Sequence, residues 1–204
     1  VAKEAGADYV KFQSFKADEL ARMHTPKVAY QEETMDESIS HHEMLRGLEL
    51  SEEGEKVLFE YCSDVCIDFI STPYSVDAVH RLNKIGVNEF KVASADIVDI
   101  PMLEAIASTK KPVILALGMA TISEIERALL CFSDYKPEKI ALLHCVSNYP
   151  VLIKDANLSK IQYLKKYKVQ IGYSDHTLGI NACLVAASLG ARIIEKHFTI
   201  DHNY

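Results

Sequence analysis

No run of apolar residues in this chain approaches the roughly 20 needed to span a membrane, and its start carries no signal-peptide pattern. Nucleotide signatures are missing too: no strand is followed by G-x-G-x-x-G, and there is no P-loop. Cysteine is sparse and follows no ligand spacing. The five residues (Cys62, Cys66, Cys131, Cys145 and Cys183) are an odd number scattered through apolar segments. Cys62 and Cys66 lie one helical turn apart, with no second pair to complete a zinc motif. Reduced, buried thiols in a cytoplasmic protein are expected, which makes the Asn157-Leu158-Ser159 triplet a chance sequon. Positive charge is in deficit. A net charge of −7 argues against nucleic acid or an anionic membrane as partner. An anionic small molecule must therefore be held by local lysines working against the overall field.

The 204 residues, 49% of them hydrophobic and 25% charged, suit one soluble globular domain over 1–204. Val1 stands in what reads as the tail of a helix and Tyr204 just after a strand, so a fragment of a longer protein is expected. Short, apolar strand patterns fall at 8–13, 68–74, 89–95, 112–118, 140–146, 170–176 and 192–198. They lack polar alternation, as strands buried on both faces do. Helical patterns separate them. Ser51 reads as an N-cap, Gly86 as a C-cap, Pro101 as a first-turn residue, and Thr121 with Glu124 as a capping box. Strict β/α alternation implies a parallel sheet. The fold expected is an α/β (β/α)8 TIM barrel truncated at its first strand, the alternative being an open doubly wound sheet. The connection from Phe15 to Leu50 departs from short loops, and its His24, His41 and His42 are expected to be solvated or part of a substrate lid.

Polar residues at the strand ends carry the functional reading, because the C-terminal strand ends of a barrel form the active-site face. Lys11 and Gln13 share a face of the first strand; Thr72 ends the second; Lys91 and Ser94 lie near the end of the third. Ser147, Asn148 and Tyr149 follow the fifth. With a side-chain period of two, Ser174 and His176 share a face of the sixth strand, and Glu195 and His197 a face of the seventh. Asp175 and Lys196 then point away from the axis. His144, inside an apolar strand, reads as packed core or as support behind the site, and His80 as exposed. Lysines and hydroxyls suit a phosphate or carboxylate. Either histidine alone could be a satisfied core residue. The pair, at matching positions of successive strand–helix units, points to a shared divalent transition metal.

The motifs KFQ, YQ…EMLRGLELS, STP, KVAS, LLHC-x-S-x-YP, GYSDHT-x-GI and IEKHFT occur in this order and spacing. Together they resemble the sialic acid (N-acetylneuraminate) synthase family, which includes legionaminate, pseudaminate and spore-coat polysaccharide synthases. The resemblance covers nearly the whole chain, and GYSDHT followed by IEKHFT is its most specific part. It implies a barrel that condenses phosphoenolpyruvate with an N-acylated mannosamine-type amino sugar to a nine-carbon α-keto acid, releasing phosphate. It further implies that His176 and His197 bind Mn2+, or else Mg2+ or Co2+. Lys11, Thr72, Lys91, Ser94, Ser147 and Ser174 would surround phosphoenolpyruvate, and Gln13, Asp96 and Tyr149 would face the sugar. Glu195, with Lys11 and Lys91, is the catalytic candidate, as the carboxylate that stabilises positive charge or helps deliver water. The resemblance also implies that the full-length protein is a homodimer with a C-terminal antifreeze-like domain, which is not in this sequence.

Three departures from the family pattern stand out. Asp96 replaces a longer glutamate, Thr34 an asparagine, and Ala116–Leu117 a serine-threonine of the phosphate cradle. The residues alone leave other classes open. One is a metal-dependent hydrolase or a lyase on a sugar, although no early H-x-H pair is present; the lyase form would use Lys91 as a Schiff base. Another is a non-catalytic sugar-binding relative.

Overall fold

In the computed structural model the chain is described over residues 1–23, 25–26 and 39–201; His24, Thr34 and His202 fall outside these. The seven expected strands form, as β1 (Tyr9–Ser14), β2 (Asp68–Pro73), β3 (Phe90–Val92), β4 (Val113–Ala116), β5 (Ile140–His144), β6 (Gln170–Asp175) and β7 (Ile193–Lys196). They make one sheet in sequence order, every neighbouring pair parallel. The sheet is curled, not open. Lys11 on β1 and Glu195 on β7, from opposite ends of the strand order, come within 3.2 Å. That closure is what a (β/α) barrel short of a strand requires and what a doubly wound sheet forbids.

The register assigns the two faces. Phe90, Val92, Val113, Leu115, Ile140, Leu142, Ile171 and Tyr173 point outward and build the main core with the helices. Lys11, Gln13, Thr72, Lys91, Ser174 and Glu195 point inward. Gly172 is required on the inner face of β6. A Cβ there would press on Leu143 Cδ2 and lie 2.5 Å from the Ile193 carbonyl oxygen, so the small residue lets β5 and β7 close in.

Helices follow the expected caps. Ser51 accepts from Gly54 N–H at the start of α3 (Glu52–Asp64), and α4 (Val76–Ile85) ends on Gly86 at φ 103°. Asp99 caps α5 (Ile100–Ser108), with Pro101 in its first turn, and Thr121 with Glu124 forms the capping box of α6 (Ile122–Leu130). The short α7 (Lys160–Leu164) and α8 (Asn181–Ser188) complete the alternation. Two expectations need correction. The strand expected over 89–95 stops at Val92, because Ser94–Val98 turns into a 3-10 helix that carries Ser94 and Asp96. The connection after β1 also holds structure: α1 (Ala17–Leu20) and α2 (His41–Gly47), the latter closed by a Ser40–Glu43 capping box. His42 is accordingly buried, its Nε2 2.8 Å from Asp18 Oδ1, and is not the solvated side chain expected. Among the described residues no helix is long and apolar enough to cross a membrane.

Candidate active site

The inward side chains converge at the C-terminal ends of the strands. At the centre is Glu195. Lys11 Nζ lies 3.2 Å from its Oε1, Lys91 Nζ 3.7 Å from its Oε2, and Ser174 Oγ donates to Oε1 at 2.8 Å. Burial works to raise this carboxyl, and the two ammonium groups with the Ser174 hydroxyl outweigh it, holding Glu195 below the usual carboxylate range. Lys91 responds in the opposite way. It is 3% exposed, and desolvation brings its ammonium down to about 8 against the pull of Glu195. Two cations thus share the Glu195 carboxylate, in a chain that is negative overall.

A second group forms around Gly118. Its N–H donates to Ser94 Oγ at 2.9 Å, and Ser94 Oγ lies 3.1 Å from Cys145 Sγ. A Cβ at Gly118 would collide with Ser147 Oγ and lie 2.6 Å from Cys145 Sγ and 3.0 Å from Ser94 Oγ. Three strand ends thus bring hydroxyls, a thiol and a backbone donor into one concavity. Ala116 and Leu117 beside it are buried, so the hydroxyls come from Ser94 and Ser147.

The third group is aromatic. The His176 and His197 rings lie 5.5 Å apart between centroids, and Tyr149 packs on both, at 4.2 and 5.6 Å. His176 Nδ1 is 2.7 Å from the Val146 carbonyl, which can only accept, so Nδ1 carries the proton and Nε2 keeps a lone pair. Burial holds both imidazoles below their usual range, His197 further so through His176 and Lys11. Neutral rings are what a metal needs, and two imidazoles on one tetrahedral ion at about 2.1 Å per nitrogen have centres roughly 5 Å apart. The pair fits. Among the described residues no set of three or more His, Cys, Asp or Glu is placed to hold an ion, so substrate or water oxygens would complete the coordination.

Nearer β1 and β2, Gln13 Nε2 donates to Tyr74 Oη at 3.0 Å, and the buried Thr72 stands beside Gln13 in register. Asp96 Oδ2 is buried without a hydrogen-bond partner among the described residues. Desolvation and neighbouring Asp99 push its carboxyl up to about 6, with Lys91 opposing. Tyr74 was not among the residues expected from sequence, yet it continues the inward face through Ile70 and Thr72 two positions on. Cys145 was read only as a buried thiol, although the face of Ala141 and Leu143 leads to it. His144, one position earlier, faces the helices and donates from Nε2 to the Ala156 carbonyl at 2.8 Å, a core histidine.

The model of the NeuB family matches residues 1–204. The chain belongs to the NeuB family. An N,N'-diacetyllegionaminic acid synthase of Campylobacter jejuni is 43% identical over all of this chain and 62% of its own length. A pseudaminic acid synthase of Helicobacter pylori is 34% identical over 98% of this chain and 59% of its own. The crystal structure of an N-acetylneuraminic acid synthetase from Leptospira borgpetersenii in complex with citrate superposes with a TM-score of 0.84. It is 40% identical and covers 98% of this chain and 65% of that one. This NeuB chain therefore spans about three-fifths of the length of these relatives.

Proposed function

We propose that this NeuB chain forms the catalytic barrel of a nonulosonate synthase. It would condense phosphoenolpyruvate with an N-acylated amino sugar and water to a nine-carbon α-keto acid and phosphate. The observation that carries this is the meeting of Lys11 and Lys91 on Glu195 beside the His176–His197–Tyr149 stack, all in one barrel mouth. A three-carbon phosphorylated acid has two anionic ends. Lys11 and Lys91 take one, with Thr72 and Ser174 alongside. Ser94, its Oγ held by the Gly118 N–H, and Ser147 receive the other. Gln13, Asp96 and Tyr149 face the sugar, which reacts as its open-chain aldehyde.

His176 and His197 would hold a divalent ion, Mn2+ in our reading, which when bound supplies Lewis-acid polarisation of the aldehyde oxygen. The enol carbon of phosphoenolpyruvate forms the new C–C bond to the aldehyde carbon as the C=O π bond breaks, and the aldehyde oxygen ends as a hydroxyl with the proton that the incoming water gives up through Glu195. Positive character then develops at the carbon bearing phosphate. Glu195, kept ionised by its two lysines, stabilises that charge and accepts a proton from the incoming water. The resulting tetrahedral carbon expels phosphate and leaves the ketone. Fixing both substrates in register is the larger share of what the barrel contributes.

Phosphate release on mixing the full-length protein with phosphoenolpyruvate, Mn2+ and a panel of mono- and diacetylated amino sugars tests the proposal. Release with none of them would refute it. A second reading, a Schiff-base lyase, is favoured by one observation, the buried Lys91 with its ammonium brought down to about 8. Borohydride trapping with pyruvate separates the two: a covalent adduct on Lys91 supports the lyase, and its absence supports the synthase.

A further inference from the structure

The outer faces of β6 and β7 carry an ion pair, its carboxylate buried and its lysine reaching in from the surface, with no part in the chemistry above. Asp175, 1% exposed, precedes His176; Lys196 precedes His197 and stands opposite Asp175 in the strand register. Lys196 Nζ reaches Asp175 Oδ2 at 2.6 Å and also donates to the Thr177 carbonyl at 2.8 Å. The rest of the carboxylate is saturated. Tyr173 Oη and Thr177 N–H donate to Oδ1 at 3.0 and 2.9 Å, and Cys183 Sγ donates to Oδ2 at 3.1 Å. The residues on both sides of His176 are therefore tied to one ammonium on the next strand, and the His176 carbonyl accepts from Val151 N–H at 2.9 Å.

We propose that the Asp175–Lys196 pair is a positioning clamp for the two imidazoles, setting their separation and with it the affinity of the site for a divalent metal. The inference rests on the metal reading given above. Desolvation of the buried Asp175 carboxylate offsets much of the attraction to the partly exposed Lys196, so the pair adds little net stability; what it does well is to select one geometry. Here the geometry is register. Slipping β7 by one residue would turn Lys196 inward and His197 outward. It would also leave Asp175 buried with no counter-charge, a state of high cost. The inner-face bond from Ser174 to Glu195 obeys the same register, so one alignment serves both faces of the sheet. Metal ligands tolerate little displacement, and loss of the groups that orient them typically weakens binding about 10–100-fold.

The test is Mn2+ affinity of the protein without substrates, read from the electron paramagnetic resonance signal of free Mn2+. Lys196→Met and Asp175→Asn should each raise the dissociation constant roughly tenfold to a hundredfold. Lys196→Arg, which restores the charge, should stay within a few-fold of wild type. Glu55→Gln, at the distant buried pair with Arg81, should lower Tm and leave Mn2+ affinity unchanged. A folded Lys196→Met protein with wild-type Mn2+ affinity would overturn the clamp. If that variant loses its cooperative melting, Asp175→Asn decides by the same criterion. Wild-type protein that binds no Mn2+ would instead overturn the metal reading on which the clamp rests.

Discussion

Asp96 shows how a single side chain can be set against stability at this site. Its Oδ2 is buried without a partner among the described residues, close to Asp99, and the carboxyl sits up at about 6 in the fold against an ordinary value of about 3.9. The folded state therefore holds this proton more tightly than the unfolded one. Its penalty on stability is absent well below pH 4, grows between about pH 4 and pH 6, and is fully present above that. Asp96→Asn should raise Tm by an amount that increases over the same window and then levels off, as thermal melts from pH 4 to pH 8 would record. A sugar hydroxyl or amide donating to Oδ2 would supply the missing partner, so the same variant should raise KM for the acceptor more than KM for phosphoenolpyruvate. The histidines behave differently. His176→Ala should weaken Mn2+ binding by more than the ~10–100-fold expected of an orienting group. Its Tm should change little, since the ring lies at the mouth and not in the core.

Strand ends and the turns that follow them decide how the side chains meet. Gly118, just past β4, lets Ser94 and Ser147 approach a common point. Gly118→Ala would displace those hydroxyls, and the expected result is a KM for phosphoenolpyruvate raised roughly tenfold or more, as for loss of one hydrogen bond to a charged group. In β6 the constraint is packing. Gly172→Ala would drive a methyl against Leu143 and the Ile193 carbonyl, and should cost about 1–3 kcal/mol in chemical denaturation. Both glycines are needed for close approach, yet only their placement among β4, β5 and β7 reveals it. The 3-10 turn after β3 acts at the same scale. It takes Ser94 and Asp96 off the strand and distributes them, Ser94 to the Gly118 group and Asp96 to the Tyr74 side.

Over the whole molecule, the folding core and the chemistry occupy opposite faces of one curled sheet. Phe90, Val92, Leu115, Leu142 and Tyr173 pack under the helices, while the charged groups gather at the mouth. Metal removal should therefore abolish phosphate release and leave the fold intact. Chelation followed by Mn2+ restoration, with far-UV circular dichroism recorded at each stage, should show loss and recovery of activity at constant ellipticity. A collapse of ellipticity on chelation would mean that the metal is structural. The closure of the sheet also joins its ends. Lys11 belongs to the first described strand and Glu195 to the last, so the central ion cluster exists only once the whole sheet has curled.

Seven short apolar strands, their caps and their inward-facing residues were legible in the sequence, because period two in a strand and hydrogen-bonding caps in a helix are local rules. The pairing of Ser174 with His176 and of Glu195 with His197 followed from that period alone, as did the outward turn of Asp175 and Lys196. Local rules could not show that β3 would end at Val92, that His42 would be buried against Asp18, or that Tyr74 would join Gln13. Each depends on partners tens of residues away. The tertiary structure also decided that Lys91 would be desolvated and Glu195 kept ionised, since both follow from burial and from charges on distant strands. The sequence placed these groups at the strand ends; closure of the sheet gave them their charges and their company.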